Sequence, residues 1–272
     1  MRPGRMDTLS GAALGGRSTV GCGITAILIV ASPVAPKPIT SPMPTTITEP
    51  SRDCPLCPRL VAFREEWRAR EPSWHNAPVP TFEPIGGAEA VKLLIVGLAP
   101  GVRGANRTGR PFTGDYAGDL LYKTLHSFGF ANGKFAARPD DGLELYGTAI
   151  VNAVRCVPPE NKPTPAEINT CRQFLTPTIL GYPNLRAIIT LGRIAHDSTL
   201  RALGTRLKDA PFSHGGTHTV RGIRLASSYH CSRYNTNTGV LTEAMFFDVF
   251  RSAAEFLNAA GSPSPVAATP TS

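Results

Sequence analysis

Three groups of residues in this 272-residue chain have types and spacings that chemistry uses. The first is a set of four cysteines. Cys54 and Cys57 form a Cys-x-x-Cys pair, Cys156 follows a candidate strand, and Cys171 falls early in the helix after it. Thiolates converging from adjacent elements hold a tetrahedral zinc or a [4Fe-4S] cluster, and spacing alone does not separate the two. Four ordinary buried thiols are the bland alternative. Pro55, Pro58, Pro158 and Pro159 stiffen the surrounding loops. Cys22 and Cys231 complete an even count of six, which also admits disulfides. A chain of this length needs no such staples, however, and the Cys-x-x-Cys pair is poorly placed for one. Either metal group requires reduced thiols, which argues for a cytoplasmic protein.

The second group is a glycine-laden loop running from Gly97 to Gly118, with Arg103, Arg107 and Arg110 as cations and Asp115 as its lone carboxylate. Glycine lets backbone approach a ligand closely, and exposed amides can face phosphate. The loop is neither a dinucleotide fingerprint nor a Walker A, since it has no Gly-x-Gly-x-x-Gly and no closing Gly-Lys-Ser/Thr. A nucleotide-cofactor enzyme is thereby disfavoured. Asp115 suits either activation of water and stabilisation of a cationic transition state, or capping of the next helix; Asp119 is as good a cap. Phe112 suits either core packing or a platform on which a base stacks. The third group is the polar turn from Ser227 to Thr242, where His230 and Arg233 follow the last strand candidate. Alone it is a weak signal.

These groups sit on a recognisable alternation. Apolar runs at Lys92–Gly97, Thr148–Ala153, Arg186–Leu191 and Val220–Ser227 read as four strands. Helical patterns at Asp119–Phe128, from Pro165 to about Leu180, at Gly192–Leu203 and from about Gly239 to Ala259 fall between and after them. The alternation predicts an α/β fold, three layers with a central four-stranded, mainly parallel sheet. Ligands of such sheets bind beyond the carboxyl ends of the strands, which picks out the residues just after Val96, around Asn152 and from His230 onward. The formal charge is +8, of which +2 belongs to the first fifty residues, so the folded part carries most of the excess and favours a polyanionic partner. Pro, Ser, Thr and Ala dominate residues 1–50 and 261–272, which read as a disordered extension and a disordered tail around one domain at 51–260. The apolar run Ile24–Ala31 is too short to span a bilayer, which takes about 20 residues. It resembles either a signal-peptide core or part of an extension added before Met43; the thiol chemistry favours the second.

Taken together, GLAPGVRGANRTGRPFTGDYAGDLL, VNAVRCVPPENKPTP, HCSRYNTNTGVLT and the four cysteines resemble the type B, or family 5, uracil-DNA glycosylases. The resemblance runs from about Asp53 to Phe256. It implies a [4Fe-4S] cluster held by Cys54, Cys57, Cys156 and Cys171 that organises structure near DNA. It also implies a monofunctional enzyme, monomeric and without membrane attachment. Such an enzyme flips uracil, or another deaminated base such as hypoxanthine, from double-stranded DNA and hydrolyses the N-glycosidic bond. The residues carried over are Asp115 and His230 as catalytic groups, and Phe112, Asn152, Gly97, Ala99 and Asn235 around the base. Arg107, Arg110, Arg233 and Tyr234 are carried over toward DNA. Two departures are visible. The turn Gly97-Leu98-Ala99-Pro100 lacks the polar or acidic residue of other branches, which shifts the acid's role to Asp115. The second motif reads His230-Cys231-Ser232 where proline usually follows the histidine. The rival readings are a non-catalytic zinc-containing or iron-sulfur DNA-binding module and an iron-sulfur redox protein.

Overall fold

A computed structural model describes residues 48–259. Of the segments expected to be disordered, 1–50 and 261–272, all but residues 48–50 lie outside the described residues, as do the Ile24–Ala31 run and Cys22. The elements in order are α1 (Pro58–Arg70), α2 (Gly87–Ala90), β1 (Leu93–Gly97), α3 (Ala105–Thr108), α4 (Tyr116–Ser127), β2 (Ala131–Asn132) and β3 (Glu144–Leu145). They continue with β4 (Thr148–Asn152), α5 (Pro165–Leu180), β5 (Ala187–Leu191), α6 (Arg193–Ala202), β6 (Thr217–Val220), β7 (Ile223–Ser228), α7 (Arg233–Asn237) and α8 (Glu243–Ala259).

The main sheet has the order β4-β1-β5-β7-β6. Its first four strands are parallel, and each is a short apolar run that alternates side chains between two covered faces. Leu93, Ile95, Ile150 and Ile189 pack with Leu121 and Leu125 of α4 and with Phe246 and Phe250 of α8. Leu94, Val96, Val151 and Ile188 pack on the other face with Leu175 and Ile179 of α5 and Ala195 and Leu200 of α6. The result is the three-layer α/β/α arrangement that the alternation predicts.

The sheet holds five strands rather than four. Val220 ends β6 and pairs with Ile223 across Arg221-Gly222, both at positive φ (50° and 81°). That is the twist a tight two-residue hairpin requires, so the single apolar run splits into an antiparallel edge hairpin. Two helices also begin elsewhere than their patterns suggest. Asp115 rather than Asp119 is the cap of α4, its carboxylate accepting the Gly118 amide at 3.1 Å. The stretch before α8 forms a separate short helix, α7, capped by Ser232.

Before the first strand, Cys57 precedes α1 with Pro58 in its first turn. Thr164 and Glu167 form a reciprocal capping box on α5. Arg59 then donates to both Glu167 oxygens at 2.8 Å, tying the cysteine-bearing start of α1 to the helix that carries Cys171. The folded unit also reaches further back than residue 51, because Glu49 pairs with the buried guanidinium of Arg155 at 2.8 Å. Among the described residues no helix is long and apolar enough to cross a membrane.

Candidate functional site

A pocket of about 850 Å³ opens at the carboxyl ends of β1, β4 and β7. Its wall includes Ala99 and Pro100 of the first turn, Phe112, Asp115, Asn152, His230 and Arg233. Residues from two of the three sequence groups, the glycine-rich loop and the polar turn, therefore meet in one place with Asn152.

Asn152 ends β4 opposite Gly97 of β1. It is 3% exposed, and its Oδ1 is buried with no hydrogen-bond partner. An unpartnered buried amide oxygen is costly unless a ligand meets it. Phe112 lies beside it, 7% exposed, with its ring centroid 6.3 Å from that of His230 and the two rings 27° from coplanar. The Phe112 backbone is left-handed at φ 57°, which costs a non-glycine residue on the order of 1–3 kcal/mol. Gly118 makes that conformation possible, because a Cβ there would fall 1.9 Å from the Phe112 carbonyl oxygen.

Asp115 is the cap of α4 and also lines the pocket. Oδ1 caps α4, while Oδ2 stands over Gly101 and Gly104, where a Cβ at either position would sit 3.2 Å from it. Burial raises the pKa of its carboxyl, with Asp119 adding to the rise and the Gly118 and Ala117 amides opposing it. His230 follows β7, and burial drives its pKa down to about 4. The imidazole is therefore neutral near pH 7 and has one N–H to donate.

Not every expected residue faces the pocket. Asn235 turns its amide to the main chain, Nδ2 donating to the His230 carbonyl at 2.8 Å, so it holds the histidine's turn instead of meeting a base. Arg110 is not a free cation for phosphate. It is 5% exposed and makes a two-point ion pair with Asp141 at 2.8 and 2.7 Å. Arg107 is exposed and lines a separate open cleft with Trp74, His75 and Arg138. Arg233 lines the main pocket with its guanidinium 5.9 Å from the centre of the Tyr116 ring, and Tyr234 is 74% exposed. Gly97 contributes space rather than contact. Trp67, Tyr116 and Asn161 also line the pocket. The sequence signals none of them, since Trp67 comes from α1 and Asn161 from the Pro-rich turn before α5.

The four cysteines line one small cavity with Leu60, Arg64, Val154 and Phe174. Burial, with the neighbouring thiols adding to it, raises Cys156 to about 12 and Cys171 to about 11 as thiols. Gathering such groups as thiolates requires a compensating cation. The Arg155 amide donates to Cys171 Sγ at 3.3 Å. Arg64 is buried beside them, with Nη1 on the Cys54 carbonyl at 3.2 Å and Nε without a partner. This donor set fits a thiolate-ligated metal group, although among the described residues no three His, Cys, Asp or Glu side chains are arranged around a single ion. Ala99 packs against this apolar cluster and also lines the main pocket. The cysteine region thus supports the turn that forms the pocket wall.

The fold and the pocket define an α/β protein with an amide, an aromatic ring, a carboxylate and an imidazole gathered at the carboxyl edge of a parallel sheet. Residues 84–254 match the uracil DNA glycosylase superfamily, and the chain belongs to that family. It is 47% identical over 207 residues to a type-5 uracil-DNA glycosylase of Thermus thermophilus, an alignment covering 74% of this chain and 92% of that protein. It is 43% identical over 210 residues to a type-5 uracil-DNA glycosylase of Mycobacterium bovis, covering 74% and 76%. To one from Pyrobaculum aerophilum it is 39% identical over 206 residues, covering 74% and 88%.

Proposed function

We propose that this protein is a monofunctional uracil-DNA glycosylase. It would flip uracil out of duplex DNA into the pocket at the sheet edge and hydrolyse its N-glycosidic bond, leaving an abasic site. The observation that carries the reading is the unpartnered Oδ1 of Asn152 beside the ring of Phe112. An amide offers an acceptor and two donors in one plane, which suits the imide edge of a pyrimidine, and the phenyl ring supplies the face on which that base stacks.

In this reading the C1′–N1 bond breaks with its electron pair leaving on the base, and a water oxygen bonds to C1′. The transition state carries positive charge on the sugar and negative charge on the base. Asp115, whose Oδ2 is aimed over Gly101 and Gly104, stabilises the sugar cation and accepts the water's proton. Neutral His230 donates a hydrogen bond to the departing base oxygen, and its depressed pKa keeps it a donor without a charge of its own. Arg233 at the pocket rim, and Tyr234 and Arg107 beyond it, lie on exposed segments available to the phosphate backbone. Ala99 leaves the pocket wall apolar where a polar side chain would select one base, which supports acceptance of hypoxanthine beside uracil.

Cys54, Cys57, Cys156 and Cys171 would hold a [4Fe-4S] cluster. Bound there, such a cluster would join α1, α5 and the loop after β4, which carry these cysteines, and would support the Ala99 turn packed against them. The donor set and the family resemblance support this assignment.

The test is incubation of purified protein with a uracil-containing duplex and a hypoxanthine-containing duplex, followed by alkaline cleavage of abasic sites. Strand scission at uracil is expected, and an intact uracil strand overturns the reading. Scission at uracil alone removes only the broader range. A brown protein with broad visible absorption supports the cluster, whereas a colourless, zinc-loaded protein refutes it.

A further inference from the structure

The Arg110–Asp141 ion pair is the most completely built polar feature outside the pocket, and the chemistry above does not use it. Asp141 has a fully buried side chain, and Arg110 is nearly so. The carboxylate accepts both terminal guanidinium nitrogens and also the amides of Ala136 at 2.8 Å and Leu143 at 3.1 Å. The guanidinium carbon lies 5.4 Å from the ring centre of Phe82, 5.5 Å from that of Tyr122 and 5.8 Å from that of Phe135. Burial pushes the Asp141 carboxyl up, but the Arg110 fork and the two amides outweigh it and hold it well below the usual carboxylate range. The Asp141 carboxyl therefore stays ionised near neutral pH.

What this pair holds is the two-residue approach to Phe112. The Arg110 carbonyl accepts the Thr113 hydroxyl at 2.6 Å, and the Pro111 carbonyl accepts the Tyr122 hydroxyl at 2.7 Å. Tyr122 is itself one of the three rings around the guanidinium. The main chain is thus pinned before and after the one residue that must stay left-handed, at φ 57°. A phenylalanine has no intrinsic preference for that region, so the surrounding contacts must impose it.

We infer that Arg110 and Asp141 are positioning residues for Phe112: the buried pair, acting through the pinned Arg110-Pro111 segment and Tyr122, fixes the depth and tilt at which the ring receives a base. The inference rests on the reading of Phe112 as the stacking platform. It also explains why this loop keeps an arginine that no phosphate can reach.

The test is a pair of double-mutant cycles on the full-length protein with its metal group intact, reading the single-turnover rate of uracil release from duplex at saturating enzyme. Asp141→Asn is expected to lower the rate roughly tenfold, as small misplacements of binding groups do. In a Phe112→Ala background the same change is expected to alter the rate by less than about twofold, because the ring it positions is already gone. Tyr122→Phe removes one hydroxyl and keeps the ring, so it carries the same test if Asp141→Asn does not fold. Thermal unfolding in each background gives the general structural cost, which should be the same with and without the ring. An equal rate loss in both backgrounds, or none with Phe112 present, overturns the inference while leaving the platform reading standing. A Phe112→Ala protein that releases uracil at the parent rate overturns both.

Discussion

Gly97 faces Asn152 across the β1–β4 ladder so closely that a Cβ built on the glycine would stand 2.4 Å from Asn152 Oδ1. The same atom would fall 2.6 Å from Phe112 Cζ. The absent side chain is therefore what lets the amide and the ring share one corner of the pocket.

Gly97→Ala should displace one or both groups by several tenths of an ångström to an ångström. The rate of uracil release should fall by about a hundredfold, the scale expected when a binding group is misplaced by that much. Overpacking at this buried strand position should also lower stability, by about 1–3 kcal/mol, so the rate is read beside the melting temperature. Single-turnover kinetics beside thermal unfolding checks both, and an unchanged rate would show that the corner is not where the base sits.

Much of this arrangement is written locally. The four parallel strands are legible because each is a largely apolar run that must be covered on both faces, and Gly97, Asn152 and Gly192 close three of them at the sheet's carboxyl edge. The hairpin of β6 and β7 is not, because Val220 and Ile223 are both apolar and only the backbone at Arg221-Gly222 reveals the turn. Asp115 has a chemical and a capping reading in the sequence; Oδ1 makes the cap, and Oδ2 stands beside Gly101 and Gly104. Arg110 looks like a cation in a glycine-rich loop and is instead an anchor, because Asp141 lies 31 residues away and no spacing rule joins them. Asn235 carries the same lesson, since its partner is a backbone carbonyl that a sequence does not display.

Asp115 must be ionised to stabilise a sugar cation, and burial raises its pKa above the ordinary carboxylate value. The rate of base release should therefore fall on the acid side at a higher pH than a free aspartate would give. Asp115→Asn should lose on the order of 10²–10⁴ in rate, the usual contribution of such a group, and lose the acid limb with it. A pH profile of single-turnover release, with binding to an abasic-site duplex as control, separates this from a folding defect.

His230 predicts a pH dependence of stability with the opposite bookkeeping of charge. Its pKa falls from 6.5 to about 4 on burial, so between those values the unfolded chain binds a proton that the folded protein does not. Stability from this group is complete above about pH 6.5 and is lost as pH falls toward 4. His230→Asn should flatten the slope over that window in urea unfolding, and an unchanged slope would mean that the imidazole is not desolvated.

Cys171 bridges the two sites through the apolar cluster that includes Val154 and Ala99. If the four cysteines hold the proposed [4Fe-4S] cluster, Cys171→Ser should bleach its visible absorption and lower uracil release together, because the Ala99 turn packs on the same apolar cluster. If the absorption goes and the rate stays, the metal group is independent of the pocket. Iron content measured beside activity on the same preparation makes the comparison direct.

The arginines divide by burial, and salt separates them. Each Lys or Arg that meets a phosphate releases a counterion, which contributes about 0.9 to the slope of log affinity against log salt. Arg233→Ala, at the pocket rim, and Arg107→Ala, on the exposed face of α3, should each weaken duplex binding regardless of sequence and lower that slope by about one. Arg110→Ala should leave the slope unchanged while destabilising the fold by about 3–5 kcal/mol, the cost of leaving a buried carboxylate unpaired. Fluorescence anisotropy of a labelled duplex between 50 and 200 mM salt, set beside urea unfolding, distinguishes the two behaviours. A reduced slope for Arg110→Ala would mean that the Asp141 pair opens when DNA binds.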